Sequence, residues 1–194
     1  GGLGKLIAAW VAGAKSMLLA TMILVLAWSL GTICELIHTA DFIVSYASGV
    51  VSPWILPALT FVISAAMAFA TGTSWGTMAL IMPLAIPAVY SLGGEVGLET
   101  TAIQNQLSLV IAAVFSGAVF GDHCSPFSDT TIVSSIACGV EPEEHVRTQI
   151  PFALIVATVA LFLGFIPSGY GFPVLGSLLV GITLLVLFPW LWKS

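Results

Sequence analysis

The sequence predicts an all-α polytopic membrane protein, on three observations. The 194-residue chain is 59% hydrophobic and 7% charged, with a mean hydropathy of +1.13. A soluble domain carries roughly 25% charged residues, so this chain has too few charges to cover a water-facing surface. Apolar runs approaching the ~20 residues that a helix needs to cross hydrocarbon recur along it. Two of the apolar stretches are interrupted by short polar strings, TGTSWGT (Thr71–Thr77) and GDHCSPFSDTT (Gly121–Thr131).

Gly1–Lys15, GGLGKLIAAWVAGAK, has no basic start, short apolar core and small-residue cleavage site of the kind a signal peptide shows. It reads as an interfacial or loop segment. With no initial Met, the chain reads as a piece of something longer. Ser16–Ile37 is the first span, with Glu35 near its far end, where a carboxylate reaches the interface. His38–Pro53 is a connector with room for a short helix of its own. Trp54–Ala70 and Met78–Tyr90 are apolar arms around a node of Thr71, Gly72, Thr73, Ser74, Gly76 and Thr77. Ser91–Gln106 reads as a polar loop. Leu107–Gly121 and Ile132–Gly139 flank the second node, and Glu141–Gln149 is the strongly polar run. Pro151–Ile166 and Phe172–Trp192 are the last spans, separated by the turn PSGYG.

Four basic residues orient the chain. Put Lys5 and Lys15 in the cytoplasm, let Trp54–Tyr90 form a re-entrant hairpin turning at TGTSWGT, and let Leu107–Gly139 cross as a discontinuous helix. Arg147 and Lys193 then also fall inside, as the positive-inside tendency favours, and Glu95 and Glu99 fall outside. A full crossing at TGTSWGT with a hairpin at the Asp-containing string keeps the basic residues inside as well; the first arrangement is the one expected. There is no basic patch for nucleic acid. Cys34, Cys124 and Cys138 have no framework spacing and read as small packing residues.

The chemistry gathers in the nodes. In lipid every backbone N–H and C=O needs a partner, so a broken helix is tolerated inside protein or beside a water-filled cavity. Discontinuous helices of this kind form the substrate and ion sites of secondary transporters. A carboxylate at the centre of a span costs about 2.5–3.5 kcal/mol. Asp122 and Asp129, seven residues apart, would share a face of an intact helix. Pro126 opens the chain between them, and the carbonyls of Ala118–Gly121 are expected to point into the gap. Asp122, Asp129, Ser125, Ser128 and Thr130 are hard oxygen ligands for Na⁺, and a carboxylate that takes Na⁺ takes H⁺ in its place. Asp129 can also cap the second half-helix. His123 titrates near neutral pH or bonds a backbone carbonyl. His123 and Thr131, with Thr71, Gly72, Thr73, Ser74 and Thr77, are candidate cavity residues; Gly72 suits a helix C-terminus and Thr73 or Ser74 an N-cap. A metal site from Asp122, His123 and Cys124 is disfavoured, because consecutive side chains do not aim at one ion. A hydrolase would need a nucleophile–base pair, for which Ser125 or Ser128 with His123 is the candidate. The chain is not read as an enzyme, and no cofactor is expected beyond Na⁺ and H⁺ as transported ions.

Ala27–Ile43, Phe69–Pro87 and the string SGAVFGDHCSPFSDTTIVSS, followed by EEHVRTQIPFAL, resemble the NhaC-type Na⁺/H⁺ antiporter family from about Lys15 to Leu161. The resemblance implies a secondary transporter of the inner (cytoplasmic) membrane, built from two inverted repeats with hairpins and broken helices. Thr71–Thr77 and Asp122–Thr131 would be its binding strings. It implies Na⁺/H⁺ exchange, or the coupling of ions to organic acids or amino acids such as malate or lactate. Members are expected to be about twice this length. Residues 1–194 would then be one transmembrane domain, the C-terminal repeat, whose partners are the bilayer and the missing N-terminal repeat or a second copy. An inactive truncated fragment is the other reading.

Overall fold

In the computed structural model residues 2–38, 42 and 51–192 are described, and among them there is helix and no strand. The short helix expected within the connector, and Lys193, lie outside the described residues. Helix α1 runs Gly2–Leu36. The expected interfacial or loop segment Gly1–Lys15 is thus part of the first helix from Gly2 onward: no Pro or polar cluster stops the helical run before Ser16. A 3₁₀ turn, Pro53–Ile55, leads into α2, Leu56–Thr71. Helix α3 covers Ser74–Glu95 and carries Pro83 and Pro87 inside it. Helix α4 covers Thr100–Cys124, α5 Asp129–Cys138 and α6 Pro142–Val159. A π-helical stretch, Ala160–Phe165, joins α6 to the short α7, Ile166–Gly169; α8 is Val174–Trp192.

The polar loop expected over Ser91–Gln106 shrinks to Val96–Glu99. The reason is local. Gly97 adopts a left-handed φ of 68°, which lets Leu98 N–H bond Gly93 O at 2.9 Å and Gly97 N–H bond Gly94 O at 3.1 Å. That paired closure satisfies the last carbonyls of α3, so polar composition did not shorten the helix. The polar run Glu141–Gln149 is likewise helical. Pro142 supplies a ready-made first-turn dihedral, and Glu143 and Glu144 sit favourably at the positive end of α6.

Pro53–Thr71, Ser74–Glu95, Thr100–Cys124 and Pro142–Gly169 are each long and apolar enough to cross a membrane. The two arms around TGTSWGT are therefore each of membrane length. Two full crossings return the chain to the same side as a re-entrant hairpin does.

Small residues set the packing. Helices α2 and α4 form the most extensive pair, and Gly117 and Gly121, four apart, face α2. A Cβ on Gly121 would fall 2.7 Å from Phe69 N and 2.8 Å from Ala68 Cβ; one on Gly117 would fall 3.0 Å from Ser64 Cβ and against Phe61 O. This close small-xxx-small approach is how helices associate where no hydrophobic drive separates protein from lipid. Residue numbers rise together along both helices, so α2 and α4 run parallel. Helix α3 packs antiparallel to them through Ile81, Ala85, Val89 and Leu92, against Leu56, Val110 and Val114. At one end of the bundle Gly169 rests against Trp54 and its carbonyl accepts Gln106 Nε2 at 2.7 Å. At the other end, the α2–α3 turn meets the α4–α5 break.

Gly121→Leu should lower the melting temperature of the detergent-purified chain by disrupting the α2–α4 contact, a loss of about 1–3 kcal/mol or more. Gly94→Ala, at a helical glycine with nothing near its Cβ position, should instead be neutral or stabilise by about 0.5–1 kcal/mol. Equal melting temperatures for the two variants would contradict this packing.

Candidate functional site

The break between α4 and α5 follows from four residues. Pro126 forces Ser125 out of the helical region, to φ −77° and ψ 130°. Helix α4 nevertheless runs to Cys124, three residues past the expected Gly121, so the carbonyls at its end belong to 121–124 rather than 118–121. Ser125 N–H bonds Asp122 O at 3.1 Å, and Ser125 Oγ accepts Phe127 N–H at 3.3 Å. The chain then restarts at Ser128. Its carbonyl accepts Ile132 N–H at 2.9 Å, and its Oγ accepts Thr130 N–H at 3.2 Å. Ser128, not Asp129, is the cap of α5. Asp129 is the first residue inside the helix, where its charge still suits the positive helix end.

The break separates the two carboxylates. Asp122 is 7% exposed, and Ser125 and Ser128 are fully buried. Asp129, His123 and Thr130 are exposed, while Cys124 and Thr131 are buried. Asp122 Oδ1 accepts Ser128 Oγ at 2.8 Å and Oδ2 accepts Thr130 Oγ1 at 3.3 Å. The two hydroxyls lie 2.7 Å from each other. This triangle has three oxygen–oxygen contacts and two hydroxyl protons. With an ionised carboxylate one contact has no proton. A proton on Asp122 completes the ring, and a bound cation can likewise be shared by its oxygens. Asp129 takes no part in these bonds.

The first node lies against this break. Gly72 ends α2 with a left-handed φ of 66°, its N–H bonding Ala68 O at 2.8 Å. A Cβ there would come within 2.9 Å of the Phe127 carbonyl and 3.1 Å of Ser128 N, so the two interruptions touch backbone to backbone. Three of the hydroxyls expected to line a cavity make local hydrogen bonds. Thr73 caps α3 by accepting Gly76 N–H at 3.2 Å. Thr77 Oγ1 donates to Thr73 O at 2.9 Å, and Thr71 Oγ1 to Met67 O at 2.8 Å. Ser74 opens α3.

No hydrogen bond joins His123 to Ser125 or Ser128, whose hydroxyls are engaged as described. Among the described residues no three His, Cys, Asp or Glu side chains form a metal-binding group. Of the thiols, Cys124 is buried and Cys138 exposed, so the second is not the buried packing residue its apolar run suggested. Gly117 and Gly121, which bring the nodes together, are the residues that sequence reasoning missed; their four-residue spacing was the available signal.

A family model described as the Na⁺/H⁺ antiporter family matches residues 2–169. The chain is 41% identical over 161 residues to an uncharacterised protein of Haemophilus influenzae, covering 83% of this chain and 29% of that protein. It is 32% identical over 170 residues to the malate-2H⁺/Na⁺-lactate antiporter of Bacillus subtilis, covering 86% and 29%. It is also 32% identical over 130 residues to an uncharacterised Na⁺/H⁺ antiporter of Haemophilus influenzae, covering 65% and 25%. The aligned stretch is under a third of each relative, less than the half that the resemblance implied. No solved structure matches. With the antiporter model spanning most of its length and one relative above 40% identity, the chain belongs to the Na⁺/H⁺ antiporter family.

Proposed function

We propose that this chain is the part of a multi-pass inner-membrane transporter that exchanges Na⁺ for H⁺ at Asp122. The observation that carries the reading is the ring of Asp122, Ser128 and Thr130, a buried carboxylate sharing three oxygen contacts among two hydroxyl protons. In one state a proton on Asp122 closes the ring. In the other Na⁺ takes the oxygens of Asp122, Ser128 and Thr130, and the proton leaves. Ser125, the α2–α3 turn and Thr131 hold this geometry. Asp129 and His123, on the exposed side, face the route by which ions arrive. The remainder of a longer transporter, or a second copy of this chain, covers that side. The α2–α3 hairpin and the interrupted α4–α5 segment are its two discontinuous elements, one of the two repeats of an ion-transporter fold.

A second reading is favoured by the 32% identity to a malate-2H⁺/Na⁺-lactate antiporter: the same carboxylate couples Na⁺ and H⁺ to an organic acid. Lactate or malate that strengthens Na⁺ binding would select it over simple exchange.

Asp122→Asn keeps the shape of the side chain but cannot trade a proton for a cation. It should cut Na⁺-driven proton flux by more than about tenfold, the loss of a charged ligand being worth at least ~1.4 kcal/mol. Asp129→Asn should cost less. The assay is pH-gradient dissipation in vesicles holding the complete transporter, and normal flux in Asp122→Asn would end the assignment.

Na⁺ affinity should rise with pH, because proton and cation exclude each other at Asp122. The gain is up to about tenfold per pH unit for each displaced proton, flattening once the carboxylate is ionised. Calorimetric titrations across pH, with proton release recorded, would reveal a flat profile if no exchange takes place.

For topology, cysteines at Glu95 and Glu99 should react with an impermeant reagent from outside, and one at Arg147 from the cytoplasm. Labelling of position 95 from the cytoplasm, with 147 unchanged, would reverse the assigned sidedness of the α2–α3 hairpin.

A further inference from the structure

Among the described residues, Gly72, Gly97, Gly139 and Gly171 have a left-handed backbone. At the last three a Cβ would meet nothing within 4 Å. Their φ alone accounts for them, and asparagine tolerates such a φ as well. Gly72 is different. A Cβ there would stand 2.9 Å from both the carbonyl carbon and the oxygen of Phe127 and 3.1 Å from Ser128 N, where ordinary contact begins at 3.4 Å. The neighbour is a peptide bond, which cannot swing aside as the end of a flexible side chain can.

That peptide leads straight into the ring around Asp122. Ser128 Oγ donates to Asp122 Oδ1 at 2.8 Å and accepts Thr130 N–H at 3.2 Å. The other arm, from Thr130 Oγ1 to Asp122 Oδ2, is already long at 3.3 Å. Moving the peptide from 2.9 to 3.4 Å from an added methyl group is enough to part that arm and stretch the first. The α2–α3 turn is poorly placed to retreat instead. Helix α2 lies against Gly121 of α4 at Ala68 and Phe69, just before Gly72.

We propose that Gly72 is a positioning residue of the Asp122 site. Its bare α-carbon admits the Phe127–Ser128 peptide, and this contact sets the reach of Ser128 Oγ to the carboxylate. Gly72 thereby shapes the site without supplying a ligand to it. The consequence for ions rests on Asp122 being the exchange site; the contact itself does not.

The test compares Gly72→Asn with Gly97→Asn in vesicles holding the complete transporter. Both variants put the same side chain on a left-handed backbone, with φ 66° and 68°. Strain in φ is therefore matched, and the crowded peptide is the difference. Gly72→Ala repeats the comparison with the Cβ alone. The first readout is amide hydrogen exchange at Thr130, whose N–H is held by Ser128 Oγ. Exchange there should be several-fold faster in both Gly72 variants and unchanged in Gly97→Asn. The second readout is Na⁺ affinity at alkaline pH, where protons compete least. It should fall about tenfold in the Gly72 variants, as loss of a hydrogen bond to a charged group predicts. Gly72→Asn should cost little more once Ser128→Ala is present, because the two act through one hydroxyl. Thr130 exchange that is unchanged in the Gly72 variants, or raised equally in Gly97→Asn, would overturn the proposal whatever Na⁺ does. So would Na⁺ losses that add in full to those of Ser128→Ala. Faster Thr130 exchange, with Na⁺ affinity insensitive to Gly72→Asn and Asp122→Asn alike, would uphold the contact and remove the exchange assignment instead.

Discussion

A helix that ends leaves backbone groups without intrahelical partners, and this structure depends on how its two interruptions satisfy them. At the α4–α5 break one hydroxyl does most of the work. Ser128 Oγ accepts the Thr130 amide that starts α5 and donates to the carboxylate of Asp122. The restart of the helix and the placement of the charge are thus one arrangement. At the other interruption Gly72 turns the chain with its own left-handed backbone, and Thr73 caps the next helix. Both solutions are local, and so both could form where the chain has little else to bond.

What joins them is the absence of side chains. Gly117 and Gly121 let α4 lie directly on the backbone of α2, and the same alignment brings Gly72 against Phe127 and Ser128. A pair of helices packed on larger residues would stand farther apart and leave the two interruptions unconnected. Asp122 is buried in consequence: the first residue after the glycine pair lies on the sheltered side of α4, whereas Asp129, past the break, emerges into the open.

Fold class, spans and nodes were legible because hydrophobicity and helix-breaking residues are properties of single positions. Gly72, Thr73 and Pro126 announce their roles by backbone chemistry alone. The fate of individual polar groups was less legible. Asp129 looked like a cap, but Ser128 took that place because the chain restarts one residue earlier. The hydroxyls of Thr71, Thr73 and Thr77 each bond a carbonyl or amide close by in sequence, a choice of partner that residue type alone does not decide. The loop expected over Ser91–Gln106 failed for a related reason: Gly97 closes α3 so economically that polar composition around it had no bearing on helix length.

The contact of α2 with α4 also has a mechanical meaning. Ridges of side chains allow neighbouring helices to slip from one groove to the next, like gear teeth changing mesh. Where backbone meets backbone at Gly117 and Gly121 there are no teeth to change. The two helices pack as a single strut, so a displacement of one carries the other with it. Phe61 ties this strut to Phe165, on which its ring packs at the end of the π-helical stretch, where the regular helical ladder is already interrupted.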